Sequence, residues 1–160
     1  MSTLEQIKKW QAQGLKIGFT NGVFDILHRG HVTYLNASAD LVDKLVVGVN
    51  DDDSVRRLNK GPERPINDQD SRAFILSNLK SVDAVFIFGE DTPYKLIEEV
   101  QPDVLIKGGD YDPNETNAES KTYIVGSDIV KAKGGEVVSI DLVAGFSTTG
   151  IVKKMKSSNG

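Results

Sequence analysis

The 160-residue sequence contains no cysteine, which excludes disulfide bonds and zinc sites built on thiolates. It also contains no apolar run near the roughly 20 residues that a membrane-spanning helix needs. The N-terminus, Met1–Glu5, lacks the charged and then apolar arrangement of a signal peptide. Together these absences predict a cytoplasmic protein that does not associate with membranes.

Positive charge is in deficit as well, because 19 Lys and Arg stand against 23 Asp and Glu, for a net charge of -4. A protein that coats nucleic acid needs a basic surface, so we expect no nucleic-acid partner. A nucleotide substrate is compatible with this charge, since a few local cations suffice to hold a phosphate group. The length suits one domain over residues 1–160.

Short apolar runs alternate along the chain with segments of helical spacing. Continuous Val, Ile and Leu runs indicate strands buried on both faces, so we predict a single Rossmann-like α/β domain with a five-stranded parallel sheet flanked by helices on both faces. The predicted strands are Leu15–Phe19, Lys44–Val49, Ala84–Phe88, Val104–Ile106 and Glu136–Ile140. The predicted helices are Thr3–Gln13 with Thr3 as its cap, His31–Leu41, Asp68–Leu79, Thr92–Val100, Ser127–Lys133 and Thr148–Lys156, before a frayed tail at 157–160.

The segment 20–31, between the first strand and the next helix, is the most informative part of the chain. The chain has no P-loop and no G-x-G-x-x-G after the first strand, so phosphate recognition must come from other residues. The segment holds the two histidines of the chain, His28 and His31, after a predicted Asn21-Gly22 turn. Unpaired N–H groups and imidazole donors at this helix start would bind phosphate, unless the histidines are there by accident of packing.

A second anion-binding element is predicted where the last helix begins, in the segment Gly145–Gly150. Ser147, Thr148 and Thr149 would cap the helix while offering hydroxyl and backbone donors to a phosphate group. A plain helix cap is the alternative interpretation of the same residues.

Two polar loops carry the remaining candidate side chains. The loop Asn59–Pro65 has the composition of a mobile segment that covers a substrate. Its Lys60 and Arg64, with Arg72 on the next helix, could neutralise pyrophosphate and the phosphate of a second substrate, although a solvated loop charge is the alternative for Arg64. Lys107 and two glycines follow the fourth strand, where either a ligand or a structural turn explains the glycines.

The three consecutive carboxylates at 51–53 have two interpretations. They could help to bind Mg²⁺, which takes a few carboxylates together with phosphate oxygens. A cluster of charge at the start of a helix is the stronger explanation for at least two of them. No group of residues has the spacing of a transition-metal site.

These motifs resemble those of the cytidylyltransferase-like nucleotidyltransferases, which carry H-x-G-H after the first strand and a late S-T-T/S. Here the two elements are residues 28–31 and 147–149. Within that family the chain is most similar to the adenylyltransferases that make ADP-heptose for lipopolysaccharide. The similarity lies in residues 20–35, 47–66, 81–93, 102–111, 134–138 and 145–151. Val23 stands where the family often has cysteine, but the expected chemistry uses no thiol.

The resemblance implies transfer of AMP from ATP to D-glycero-β-D-manno-heptose 1-phosphate, with release of pyrophosphate. It also implies Mg²⁺ bound mainly through the ATP phosphates, and a homodimer. No fused kinase domain is expected, so a separate kinase would supply the sugar phosphate. The implied catalytic residues are His28, His31, Lys60 and Arg72. The implied nucleotide-binding residues are Thr20, Asn21, Gly22, Phe24, Asp25, Gly30, Lys107, Gly108, Ser147, Thr148 and Thr149, and the implied substrate-binding residues are Asp52, Arg64, Asp110 and Tyr111.

Two other functions are compatible with the same residues. The first is another transferase of this family, such as a glycerol 3-phosphate cytidylyltransferase, because backbone groups that read the base cannot be placed from sequence. The second is a nucleotide-binding module without catalysis, since fold alone does not distinguish a binder from an enzyme. The intact histidine pair favours an enzyme, because a binder has less need of two donors to a transition state.

Overall fold

Five strands form the centre of the computed structural model, which describes residues 1–158. They are β1 (Ile17–Gly22), β2 (Lys44–Asn50), β3 (Ala84–Phe88), β4 (Val104–Gly108) and β5 (Glu136–Ile140). The order across the sheet is β3-β2-β1-β4-β5, and every neighbouring pair is parallel. This confirms the predicted α/β fold with a five-stranded parallel sheet.

Helices cover both faces of this sheet. They are α1 (Thr3–Ala12), α2 (Arg29–Ala39), α3 (Asp52–Arg57), α4 (Gln69–Ser77), α5 (Tyr94–Val100), α6 (Ser127–Ala132) and α7 (Thr148–Ser158). On one face, Phe19 of β1 lies in the same buried cluster as Ile7 of α1 and Ile97 of α5. On the other face, Val47 of β2 is clustered with Leu35 of α2. Successive strand residues point to opposite faces, so one run of apolar residues supplies both cores.

The first strand runs further than its sequence predicts. The sequence predicts an end at Phe19 and a turn at Asn21-Gly22, because Asn and Gly are rare in strands. In the structure β1 stays paired with β2 as far as Gly22, which lies opposite Val49. The predicted turn is therefore wrong, and the chain bends after Gly22, where Phe24 has a φ of 50°.

The helix boundaries follow from their caps. Ser2, and not Thr3, caps α1, and its hydroxyl and backbone form a reciprocal pair with Glu5. His28 caps α2, so that this helix begins at Arg29 rather than at the predicted His31. The other predicted helices differ from the observed ones by at most two residues at either end.

Two segments are helical although the sequence does not predict it. The six residues of α3 are too few for a periodic signal to show in the sequence. Ser157 and Ser158 belong to α7 and not to a frayed tail, whereas Asn159 and Gly160 of that predicted tail lie outside the described residues. In residues 1–158, no helix is both long enough and apolar enough to cross a bilayer.

The strand order determines where a ligand can bind. After β1 the chain continues to β2 and β3 on one side, and it then crosses to β4 and β5 on the other side. The connections diverge at the carboxyl end of β1, which leaves a crevice at that edge of the sheet. The segment 20–31 leads directly into this crevice.

Candidate active site

A cavity of about 650 Å³ opens at the carboxyl edge of the sheet. Most of the predicted site residues line it, although they come from separate parts of the chain. The predicted residues in its wall are Asn21, Gly22, Phe24, Asp25, His28, Gly30, His31, Lys60, Arg64, Lys107, Tyr111, Ser147, Thr148 and Thr149. The predicted residues that do not line it are Thr20, Asp52, Arg72, Gly108 and Asp110.

His28 has one ring nitrogen committed to the protein. Its Nδ1 accepts a hydrogen bond from the backbone N–H of Gly30 at 3.1 Å, as expected for the cap of α2. The neutral ring therefore carries its proton on Nε2, which makes no other hydrogen bond within residues 1–158. Burial lowers the pKa of His28 below its ordinary value, which favours this neutral form. The free Nε2–H is a donor for a ligand in the cavity.

His31 stacks on His28 and is the more deeply buried of the two. The ring centroids are 3.8 Å apart with an angle of 20° between the planes, and Phe24 contacts His31 edge-on at 5.4 Å. Burial, and then the nearby His28, lower the pKa of His31 to about 4. Its Nδ1 is buried and has no hydrogen-bond partner in the part of the chain described. Two stacked imidazoles are not easily protonated together, because their positive charges would repel each other. The pair is therefore neutral at pH 7.

The burial of His31 predicts a loss of stability in acid. Its pKa is about 4 when folded and near 6.5 when unfolded, so only the unfolded chain gains the proton between those values. The free energy of unfolding therefore falls as the pH drops from 6.5 towards 4, by on the order of 1–2 kcal/mol after discounting for the open cavity. Urea titrations of the wild type and His31→Gln would measure this. Parallel pH profiles for the two proteins would contradict the assignment.

Gly30 allows the His28 ring to fold back over the start of α2. A Cβ added at Gly30 would lie 3.0 Å from Cε1 and Nδ1 of His28 and 3.1 Å from Cβ of Phe146. We therefore expect Gly30→Ala to displace the imidazole and to lower turnover by tenfold or more, on the order of the effect of small misplacements. Steady-state pyrophosphate release would measure this, with circular dichroism as the check on folding. Unchanged turnover would show that the ring position is not critical.

The first turn of α7 lies against the same cavity. Ser147 Oγ accepts a hydrogen bond from Gly150 N at 2.9 Å and so caps the helix. Thr148 Oγ1 donates to the carbonyl of Ile26 at 3.1 Å, which ties α7 to the segment between β1 and α2. Both of these hydroxyls are thus bonded within the protein, in agreement with the cap interpretation. They nevertheless line the cavity with Thr149, so the start of α7 faces the histidines.

Three lysines line the cavity, and the charges of two of them, Lys60 and Lys107, interact. Lys60 is exposed, whereas Lys107 extends over the ring of Tyr111, with Nζ 5.2 Å from the centroid. Burial, and then the charge of Lys60, lower the pKa of Lys107 to about 8. A bound anion would offset both effects, because it replaces lost hydration and shields one ammonium from the other.

Asp25 contacts the loop Asn59–Pro65 and the two residues that follow it. The residue is 2% exposed, and its carboxylate accepts hydrogen bonds from Arg64 Nε at 2.7 Å and from the backbone N–H groups of Ile66 and Asn67, both at 2.8 Å. Burial alone would raise the pKa of Asp25, but the N–H donors of Asn67 and Ile66 together with Arg64 hold it below its ordinary value. The carboxylate therefore stays ionised and anchors the loop.

The sequence predicted a mobile loop that covers a substrate, whereas Asp25 holds one end of the loop in place. Arg64 is 4% exposed and paired with Asp25, so it is not a solvated loop charge. Part of its charge is already neutralised before any substrate arrives. The loop is fixed at its 64–67 end, and Lys60 lies nearer its other end.

Arg72 is also used within the protein. It is 1% exposed, and its Nη1 donates to the carbonyls of Val23 at 2.9 Å and Asn50 at 2.7 Å. Its Nε donates to the Asn67 carbonyl at 2.9 Å, and Nη2 pairs with Asp52 at 2.7 Å. Arg72 therefore joins the ends of β1 and β2 to the loop. It gives the cavity its shape, whereas the sequence predicted a cation in contact with phosphate.

Three further predicted residues lie outside the cavity wall. Thr20 is fully buried, and its hydroxyl is 2.7 Å from the Tyr34 hydroxyl beneath the cavity. Gly108 is the last residue of β4, and an added Cβ there would lie 2.7 Å from the Leu142 side chain. Asp110 is exposed in the loop that follows.

The carboxylates at 51–53 lie at the start of helix α3 and are bonded within the protein. Asp51 accepts a hydrogen bond from Ser54 N at 2.8 Å, Asp52 is paired with Arg72, and Asp53 with Arg56 at 2.7 Å. The helix-start interpretation is therefore confirmed. In residues 1–158, no group of three or more His, Asp or Glu side chains is arranged to hold a metal ion.

The cavity has a second wall that sequence reasoning missed. Many of its residues lie near the ends of β2 and β3 or in the segment that leads into α6, and other missed residues come from α2 and from the segments that follow β1 and β5. Most of its residues are of common types without a motif, but Asn50 directly follows a predicted strand, and that position was a signal for this edge of the sheet. The residues concerned are Val23, Tyr34, Asn50, Leu58, Asp91, Thr92, Pro93, Lys121, Tyr123, Ile124, Val125, Leu142, Val143 and Phe146.

Comparison with known proteins places this site in a family. The family model described as cytidylyltransferase-like matches residues 19–154, which include the histidine pair and most of α7. The chain belongs to this family. The match confirms the resemblance that the two short motifs indicated.

This chain spans about 30% of the length of the curated relatives that it matches. The bifunctional protein HldE of Mesorhizobium japonicum is 51% identical over 99% of this chain but only 30% of its own length. That of Nitrobacter hamburgensis is 53% identical over 94% of this chain and 29% of its own length. Among solved structures, the lipopolysaccharide core biosynthesis protein of Thermoplasma volcanium has 35% identity and a TM-score of 0.60, covering 81% of this chain and 98% of its own.

Proposed function

We propose that this chain transfers AMP from ATP to D-glycero-β-D-manno-heptose 1-phosphate, which gives ADP-heptose and pyrophosphate. The stacked pair of His28 and His31 carries the proposal, because it places neutral donors beside the cations and the α7 turn in one cavity. Identity of about half over nearly the whole chain with HldE proteins supports the heptose substrate. Similarity to a lipopolysaccharide core biosynthesis protein of Thermoplasma volcanium supports the same pathway.

In the proposed reaction, an oxygen of the sugar phosphate attacks the α-phosphorus of ATP. The new P–O bond forms as the bond to the β-phosphate oxygen breaks, and pyrophosphate leaves with that electron pair. The protein contributes position and charge, since this chemistry needs no nucleophilic side chain. His28 would donate from Nε2 to a phosphate oxygen, and this bond strengthens as negative charge grows in the transition state.

The other residues would hold the two ends of the triphosphate. Lys60 and Lys107 would offset the charge of the departing pyrophosphate. The start of α7 would bind phosphate oxygens through its first N–H groups, with Thr149 adding a hydroxyl. Arg72 and Asp25 would act on the protein side, by keeping the cavity wall in place.

We propose Mg²⁺ as the metal of this reaction, held mainly by the ATP phosphates. The described residues fit this arrangement, because the carboxylates at 51–53 are bonded within the protein. When bound, the ion would neutralise phosphate charge and align the triphosphate.

The experiment that tests the function combines Mg²⁺, each nucleoside triphosphate in turn and a panel of sugar 1-phosphates, with pyrophosphate as the readout. We expect release with ATP and heptose 1-phosphate. Release with CTP and glycerol 3-phosphate instead would favour the cytidylyltransferase alternative, which the family description also supports. Binding of ATP without pyrophosphate from any acceptor would favour the module without catalysis.

Base selection can be tested without an acceptor. A ligand that binds the folded state raises the thermal midpoint, so ATP and CTP can be compared directly. We expect a larger shift with ATP. Homodimer formation and a cytoplasmic location stay predictions, and sedimentation velocity would check the first of them.

A further inference from the structure

Asn50 is a buried polar residue without a role in the reaction proposed above. It is the last residue of β2 and is 7% exposed. Its backbone is fixed, because its carbonyl accepts from Arg72 Nη1 at 2.7 Å and its strand pairs with β3 opposite Phe88. An amide side chain has two N–H donors and an acceptor oxygen, and those that make no hydrogen bond within the protein are available to a ligand.

The side-chain amide of Asn50 faces the cavity. Neither Oδ1 nor Nδ2 makes a hydrogen bond within residues 1–158. Neither atom is completely buried, so each keeps some exposure to solvent. The small exposed part of the residue therefore includes the amide, and the open space that this residue lines is the cavity. A ligand there would meet one donor group and one acceptor on a rigid strand end.

The position of Asn50 separates it from most of the groups assigned to the phosphates of ATP, although Lys60 also follows β2 in the chain. The histidines follow β1, Lys107 lies at the end of β4, and the α7 turn follows β5, whereas Asn50 lies on the other side of β1. In an in-line transfer the acceptor approaches the α-phosphorus opposite to the leaving pyrophosphate. With the phosphates at the histidines, Lys107 and the α7 turn, as proposed, the wall at the ends of β2 and β3 would be on the acceptor's side.

Thr92 lies in this same wall, beyond the end of β3. Within the part of the chain that the structure describes, its hydroxyl makes one long contact, accepting from Tyr94 N at 3.5 Å, and its O–H donates to no protein acceptor there. Asn50 and Thr92 together offer donors and acceptors without net charge. Such groups match the neighbouring hydroxyls of a sugar, because each hydroxyl both donates and accepts a hydrogen bond.

We propose that the Asn50 amide binds hydroxyl groups of the acceptor sugar and thereby selects a polyol phosphate over simpler phosphates. This inference rests on the proposed function. A site built to bond a hydroxyl rejects an analogue that lacks it, because its buried polar groups are then left unpaired.

The test compares two acceptors in the wild type, Asn50→Ala and Asn50→Ser. Heptose 1-phosphate presents ring hydroxyls, whereas methyl phosphate presents none. We expect both variants to lower kcat/KM for heptose 1-phosphate about tenfold or more, mainly through KM, and to change kcat/KM for methyl phosphate less than about twofold. The KM for ATP should stay within about twofold, and Asn36→Ala, exposed on α2, serves as the matched control.

Each other outcome has a definite meaning. An equal fall with both acceptors, a raised KM for ATP or unchanged kinetics would overturn the role of Asn50 while leaving adenylyl transfer intact. A wild type that transfers AMP to neither acceptor would overturn the proposed function itself. Calorimetric titration of heptose 1-phosphate into each variant with a non-hydrolysable ATP analogue gives the same comparison for binding, and equal affinities there would also reject the inference.

Discussion

Replacement of His28 or His31 by Ala is expected to lower turnover by about a hundredfold or more. Loss of one donor aimed at a developing negative charge has an effect of this size in other enzymes. The two rings stack at 3.8 Å, so removal of either also frees the other to move. The double variant should therefore be little slower than the worse single variant, because the pair acts as one unit.

The control for this prediction separates chemistry from folding. Thr33→Ala changes an exposed residue on the same helix and should leave turnover within about twofold. His28→Asn should keep part of the cap to Gly30 N and yet lose the Nε2 donor, so its stability should recover more than its turnover. Near-normal pyrophosphate release from both alanine variants would contradict the proposed mechanism.

The second large effect is on stability, at Asp25. We expect Asp25→Ala to lower the free energy of unfolding by about 3–5 kcal/mol, because it leaves the Arg64 guanidinium buried without a counter-charge. It also removes the acceptor of the Ile66 and Asn67 N–H groups. Urea unfolding followed by circular dichroism would measure the change.

A double variant tests whether the unpaired charge is the cause. Asp25→Ala with Arg64→Met removes the charge together with its partner, so it should recover part of the lost stability. Disruption of the exposed pair between Arg56 and Asp53 by Arg56→Ala should cost less than about 1 kcal/mol. A loss below about 1 kcal/mol for Asp25→Ala would show that the loop is not held by this carboxylate.

The fold was predictable because it depends on patterns within short segments. Continuous apolar runs such as Lys44–Val49 indicate strands buried on both faces, and the helical segments between them require parallel crossovers. The early end predicted for β1 shows the limit of that reasoning. Asn21 and Gly22 disfavour a strand by themselves, but pairing with β2 keeps them in one.

The candidate site was only partly predictable, because the type of a side chain does not reveal its partner. Arg64 and Arg72 have the composition of phosphate-binding cations, yet their partners Asp25 and Asp52 lie 39 and 20 positions away in the chain. The histidines were easier to place, since a cap and its helix are local. For Asn50 only its place after a strand was visible, because its importance depends on burial and on the absence of a partner in the described residues.

One measurement tests adenylyl transfer most directly. The protein is incubated with Mg²⁺, heptose 1-phosphate and ATP labelled at the α-phosphorus. The products are then separated, and their masses are determined by mass spectrometry. We expect the label to appear in ADP-heptose in equal amount to the pyrophosphate released. Label that stays in ATP, or that appears as free AMP with the sugar phosphate unchanged, would contradict adenylyl transfer to this acceptor.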